Sequence, residues 1–433
     1  MRYFPLAAFA LLAAAPAAAQ LSPAEQAMVE TVESRLETDF ALLERIVTIN
    51  SGTHNHAGVR AVGDLIAPEL AALGFTVEWI DQSAAGRAGH LFARREGKPG
   101  TTRMLLIGHL DTVFEPSSPF QTYSRDGPIV TGPGVEDNKG GVLVMLAALR
   151  AMQAAGTLES ANIVVALTGD EEDAGEPLAV ARADLIAAAE WADVALDFES
   201  LGRADGIDMG SVARRSSNSW KLTTSGREGH SSGIFRDGVG YGAIYEMARI
   251  LDRFRVELAE PDLTYNVGLI AGGSQAALSA DELSAEANGK TNIIPPVAVA
   301  RGDLRTLTPE QTERALARMR AIVDANLPGT DAEIAFEIRY PPMAPTAGNL
   351  ALLARLNAVN ADLGLPEMPV MPPALRGAGD INFVAHLADG LVGLGASGAG
   401  AHAPGETMDL SIFPRQAKRA AILMSRLAAQ PYP

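Results

Sequence analysis

Hydrophobic positions fall into two rhythms along the chain, one of helical period and one of short unbroken runs. Ser22-Pro23-Ala24-Glu25 reads as a capping box with proline at the first helical position; Met28, Val29, Val32, Leu36, Phe40 and Leu43 then recur at helical spacing. A second helical pattern over 59–73 stops at Gly74 and gives way to a strand-like stretch, 75–80. Four strand-length apolar runs follow at 104–107, 163–167, 194–198 and 391–394. Each leads to polar chemistry: His109 and Asp111, then Asp170-Glu171-Glu172, then Glu199, then His402. In open α/β sheets ligands bind beyond the carboxyl ends of the strands, so residues far apart in sequence are expected to converge there.

Between 212 and 340 the rhythm changes. The pattern predicts strand 220–224, helix 241–258, strand 264–270, strand 297–305, helix 309–327 and strand 332–340. That β-α-β-β-α-β order is ferredoxin-like and reads as an insertion, because the last run of the first domain lies after it. The expected organisation is therefore residues 1–19 as a leader, 20–211 with 341–433 as one α/β domain, and 212–340 as an inserted α+β domain. A length of 433 residues suits more than one domain.

Charge and composition narrow the chemistry. A formal net charge of -17 and an isoelectric point near 4.9 argue against nucleic acid or an anionic membrane surface as partner. With no cysteine, thiolate ligands, disulfides and a cysteine nucleophile are excluded. Met1-Arg2, the apolar run 4–15 and Ala17-Ala18-Ala19 read as a signal peptide cleaved after Ala19. No later run is long enough to span a bilayer. The expected product is a periplasmic or secreted protein without stable membrane insertion.

The candidate chemistry lies at the strand ends. Residues two apart on a strand point the same way, so Asp111 can hold the far ring nitrogen of His109. Gly132-Pro133-Gly134-Val135-Glu136-Asp137-Asn138-Lys139-Gly140-Gly141 permits a sharply turned loop ahead of an apolar helix, 142–152, whose positive end favours an ionised Asp137. A phosphate-binding loop is the alternative, but Glu136 and Asp137 would repel phosphate. Asp170-Glu171-Glu172 is either a solvated acidic run or a cluster needing a cation or protons; Glu199 and His402 in matching positions favour the second.

His109-x-Asp111, Asp137 with Lys139-Gly140-Gly141, Glu171-Glu172, Glu199 after Asp197-Phe198, and His402 together resemble the co-catalytic set of the M20 metallopeptidases. They do so in order and across nearly the whole chain. The pattern is most similar to the glutamate carboxypeptidase branch. The resemblance implies a zinc-peptidase-like catalytic domain with an inserted lid and dimerisation domain, and a homodimer. It places His109 and Glu199 on one metal ion, Glu172 and His402 on the other, and Asp137 between them. It further implies a cis peptide after Asp137, Glu171 as general base and Asp111 as the carboxylate that orients His109. In the lid, Ser225-Gly226-Arg227-Glu228-Gly229-His230-Ser231 makes His230 a catalytic residue acting across the dimer; Asn292 and Arg305 become substrate contacts, Arg305 for a carboxylate.

Two imidazoles and three carboxylates suit two Zn²⁺ ions, with Co²⁺ or Mn²⁺ as substitutes. Ions about 3.5–4 Å apart can activate water and polarise a carbonyl. The implied activity is release of a C-terminal amino acid, glutamate among the candidates, from a small peptide or N-acyl amino acid. Aminoacylase, deacylase and dipeptidase chemistry fit the same site, and a binding protein without catalysis would have no use for Glu171. Export argues against a biosynthetic deacylase, and Glu rather than Asp at 199 looks more like the carboxypeptidase and deacylase branches. Arg339, near a further carboxylate-binding position of some relatives, has no fixed register in the sequence. His54, His56, His90 and His386 match no ligand position, with His54 and His56 candidates for the cleft rim.

Overall fold

The computed structural model describes residues 21–433, so the expected leader lies outside the described residues. The capping box forms: Ser22 accepts from the Glu25 N–H, the Glu25 carboxylate accepts from Ser22, and helix Pro23–Val47 begins at once. A six-stranded sheet runs Thr76–Asp81, Gly89–Arg95, Asn162–Thr168, Arg103–His109, Val194–Asp197, Asp389–Val392. The last four strands are mutually parallel and the first two antiparallel. Parallel strands covered on both faces read as continuous apolar runs, and Leu105, Leu106 and Ile107 are all essentially buried. Each such side chain contributes about 1.5–3 kcal/mol on burial. Helices Lys139–Ala154 and Phe413–Ala428 pack on one face, while Leu185, Ala188 and Ala189 of helix Ala183–Trp191 pack on the other.

Two of the four expected runs overshoot their strands. Phe198 leaves its strand at Asp197, and Gly393, with φ of 94°, ends the strand at Val392 before Leu394. Both residues stay buried, so the apolar signal outlasts the hydrogen-bond ladder.

The second sheet has four antiparallel strands, in the order Thr264–Gly273, Val297–Arg305, Ser217–Gly226, Thr330–Tyr340. Helices Ala243–Glu257 and Pro309–Val323 cover one face, burying Trp220, Leu222, Met247, Phe254 and Met319 among them. This is the ferredoxin-like order expected for the insertion. A hairpin pairing Gln275–Leu278 with Ala285–Asn288 interrupts it, a feature the apolar pattern does not predict. Among the described residues no helix is long and apolar enough to cross a membrane.

Candidate metal centre

Five expected ligands and the expected base converge at the carboxyl ends of the parallel strands. His109 closes its strand; Nε2 lies 3.0 Å from Asp137 Oδ1 and 3.3 Å from Glu199 Oε1. His402 Nε2 lies 3.2 Å from the other oxygen of Asp137 and 3.0 Å from Glu172 Oε2. Asp137 thus lies between the two imidazoles, the position the resemblance gives it, and the Asp137–Asn138 peptide is cis. Glu171 carries a ligand-competent oxygen within 4.8 Å of those of His109 and Glu199. A cavity of about 300 Å³ is lined by Asp137, Glu171, Glu199 and His402, together with Arg214 and Arg376. A wider groove of about 610 Å³ along the outer strands Thr76–Asp81 and Gly89–Arg95 holds none of these ligands.

Local structure explains the convergence. Gly140 and Gly141 start the helix after Asp137, and a Cβ on Gly141 would meet the Phe198 carbonyl at 2.0 Å. Only glycine lets this helix lie against the segment carrying Glu199. Asp111 accepts from Thr53 Oγ1 at 2.7 Å and from the N–H groups of Glu171 and Glu172 at 3.1 and 3.2 Å, and sits 3.3 Å from His109 Nδ1. One carboxylate therefore sets both the imidazole and the glutamate pair. Behind it, buried Arg182 bridges Asp170 at 2.6 Å and Asp380 at 2.9 Å.

Electrostatics favour a cation. Burial pushes the Glu171 carboxyl well above the usual carboxylate range, opposed by His109 and reinforced by Glu199 and Glu172. Burial likewise raises Glu172 to about 7, although His402 opposes it. Hydrogen bonds to Asp137 and Glu172 raise His402 to about 11. Carboxylates gathered this closely repel one another unless positive charge lies between them, and nitrogen and oxygen donors can take that charge from a divalent ion. Glu172 Oε1, buried without a hydrogen-bond partner, fits the same reading. The donor set fits divalent ions of the zinc type.

The remaining sequence candidates lie elsewhere. His230 and Asn292 sit side by side in the insertion, where His230 pairs with Ile293 and the Ser231 N–H donates to the Asn292 carbonyl at 2.9 Å. Arg305 is about one-third exposed and bonded to Asp303 at 3.1 Å. None of the three lines the metal cavity of this chain. Arg339 reaches Asp173 at 3.4 Å, just past Glu172, and His54 approaches the same carboxylate at 3.2 Å. His90 is buried, with Nε2 2.9 Å from the Ala181 carbonyl, and is structural.

Three further residues, which no sequence motif marks, shape the site. Glu406 accepts the N–H groups of Gly134, Glu136 and Asp137 at 3.1, 2.7 and 3.0 Å. Arg214 donates to the carbonyls of Gly377 and Ala378, at 2.6 Å each. Arg376 faces Glu199. Only the position of Glu406, four residues past His402, offered a signal.

An α/β protein that gathers two imidazoles, three carboxylates and a further, partly exposed glutamate at its strand ends is a metal-dependent hydrolase. The family model described as "Peptidase family M20/M25/M40" matches residues 105–426, and the chain belongs to that family. It is 25% identical over 400 residues to carboxypeptidase G2 of Pseudomonas sp. (strain RS-16), covering 89% of this chain and 88% of that one. It is 26% identical over 383 residues to succinyl-diaminopimelate desuccinylase of Leptothrix cholodnii, covering 84% and 92% respectively. Among solved structures, aminopeptidase PepT from Bacillus cereus superposes with a TM-score of 0.70 at 17% identity, over 92% of this chain and 99% of that one. The YXEP protein of Bacillus subtilis, described as a dinuclear metal-binding peptidase, does so with a TM-score of 0.65 at 13% identity, over 92% and 99%. These likenesses bear out the fold expected from the sequence.

Proposed function

We propose that the chain hydrolyses the amide bond that joins an acyl or peptidyl group to a C-terminal amino acid, using two divalent ions, with zinc the expected metal. The observation carrying this is Asp137, set between His109 and His402, with Glu171 in the same cavity. Carboxypeptidase G2 and succinyl-diaminopimelate desuccinylase, both similar over most of their length, bear names that describe the two ends of such a reaction. The carboxypeptidase reading stands first because export, expected from the sequence of residues 1–19, would argue against a biosynthetic deacylase.

His109 and Glu199 would hold one ion, Glu172 and His402 the other, and Asp137 both. Ions so held supply Lewis acidity toward the scissile carbonyl and water. Glu171, which lines the cavity without being needed as a ligand, would take the water proton on its carboxylate and pass it to the leaving nitrogen. The Tyr340 hydroxyl donates to the Glu171 carbonyl at 2.6 Å and fixes the backbone that presents the base. Asp111 keeps His109 oriented through Nδ1, which lies 3.1 Å from the Asp111 backbone carbonyl and 3.3 Å from its carboxylate. In a homodimer, His230 of one subunit would serve the other's cavity, since it does not line its own.

The test is a screen of N-acyl amino acids and dipeptides with added Zn²⁺ or Co²⁺, on wild type and Glu171→Gln. Glu171→Gln should keep its metal and lose at least about 10²-fold in kcat, because an amide cannot shuttle the proton. Full turnover by Glu171→Gln would remove the base from this role.

A further inference from the structure

Arg376 is a guanidinium in an unusual state. Its side chain is 11% exposed, it lines the metal cavity, and neither Nε nor Nη2 has a hydrogen-bond partner. The nearest acidic oxygen, Glu199 Oε2, is 3.9 Å away, beyond hydrogen-bond reach. Burying such a group unpaired is costly, so buried guanidinium N–H groups are ordinarily matched.

Neighbouring Arg214 shows the contrast. Its Nε and Nη2 are satisfied by the Gly377 and Ala378 carbonyls, with Nη2 also 3.5 Å from Glu199 Oε2; only Nη1 lacks a hydrogen-bond partner, and it lies 3.5 Å from Asp197 Oδ2. Arg214 holds the loop and balances those carboxylates, which leaves Arg376 without a structural assignment. Burial, and then repulsion from Arg214, oppose the charge on Arg376, while Glu199, Asp197 and Asp137 favour it; none of these carboxylates is within hydrogen-bond reach of its free Nε and Nη2, which border the cavity. A planar fork with free N–H groups suits a carboxylate, which it can bind bidentately. Glu136, Asp137 and Glu171 around the same cavity would repel a more highly charged phosphate.

We infer that Arg376 anchors a substrate carboxylate on the Glu199 side of the cavity. This rests on the proposed amide hydrolysis and deepens it by assigning the anchor to the catalytic domain itself. Arg305, bonded to Asp303 outside the cavity, is then not the sole carboxylate contact. The carboxylate could belong to the departing amino acid or to the acyl group, and the chemistry of recognition is the same for both.

The experiment compares three probes: N-acetyl-leucine, N-acetyl-leucinamide, and N-succinyl-leucinamide, whose only carboxylate is on the acyl side. Each is assayed with metal-loaded wild type, Arg376→Met and Arg376→Lys, and its binding to Glu171→Gln with and without Arg376→Met is followed by calorimetry. Losing a charge-assisted pair should raise KM by about 10- to 100-fold for whichever acid is recognised, with kcat changed far less. The fully uncharged amide should respond equally in all three proteins. Arg376→Lys, which keeps the charge without the fork, should fall between. Thermal unfolding reports whether Arg376→Met folds; if it does not, the acid-to-amide ratio of Arg376→Lys decides. Should wild type hydrolyse none of the probes, the proposed reaction fails for them, and calorimetry still judges Arg376 by whether acid binding depends on it. Equal losses on acid and amide, or no carboxylate binding that depends on Arg376, would overturn the inference.

Discussion

Asp137 can bridge because its loop is held from behind. Glu406 collects three backbone N–H groups of that loop and lies four residues from His402, so one segment sets the bridging carboxylate and an outer imidazole. Replacing Glu406 by Gln points an amide NH₂ at backbone donors. We expect Glu406→Gln to weaken metal binding by about 10- to 100-fold while the protein stays folded, measured by chelator competition. Unchanged affinity would mean that the loop holds its own shape. His109, Glu199 and His402 were legible because they come after apolar runs, Asp137 because glycines flank it ahead of an apolar helix, and Glu171-Glu172 because adjacent carboxyls need an explanation; their assignment as ligands came from the family resemblance. Glu406, Arg214 and Arg376 were not legible. They stand in loops, and their meaning lies in partners some 15 to 270 residues away that no spacing rule connects.

At the scale of elements, the parallel strands declared themselves through unbroken apolar runs, and the insertion through its alternating order of strands and helices. The hairpin 275–288 gave no such signal: Ala276, Ala277, Ala285 and Ala287 supply little apolar contrast, and much of the hairpin is exposed. The last helix, Phe413–Ala428, is pinned to the domain by Asp208. Its carboxylate accepts from Arg415 at 2.9 and 2.7 Å and from Arg419 at 2.7 Å. Burial alone would raise the pKa of Asp208, but these two arginines more than offset it and hold it low. A depressed carboxyl stabilises the fold above the ordinary carboxylate range, and the contribution is lost as pH falls through the lowered value. Asp208→Asn should therefore cost about 2 kcal/mol at neutral pH. The gap in unfolding midpoint from wild type should narrow below about pH 4. A gap that is constant with pH would place the effect in packing rather than charge.

For the whole molecule, every candidate metal ligand lies outside the span 212–340, while His230, Asn292 and Arg305 lie within it and none of these three lines the cavity of one chain. We propose that a second copy completes the site. His230→Ala should then lower kcat by about 10²–10³-fold with metal retained, the usual loss for a donor aimed at a developing oxyanion. Mixing inactive Glu171→Gln with inactive His230→Ala chains should restore activity as subunits exchange, because one site of each heterodimer is intact. A mixture that exchanges yet stays inactive would place His230 in its own chain's chemistry. All of this presupposes the paired metal centre. The most direct measurement is to titrate metal-stripped protein with Zn²⁺, following bound metal and hydrolysis of an N-acyl amino acid together. We predict saturation at about two equivalents per chain, with full activity reached only as the second ion binds; full activity at one equivalent, with no gain from a second, would contradict it.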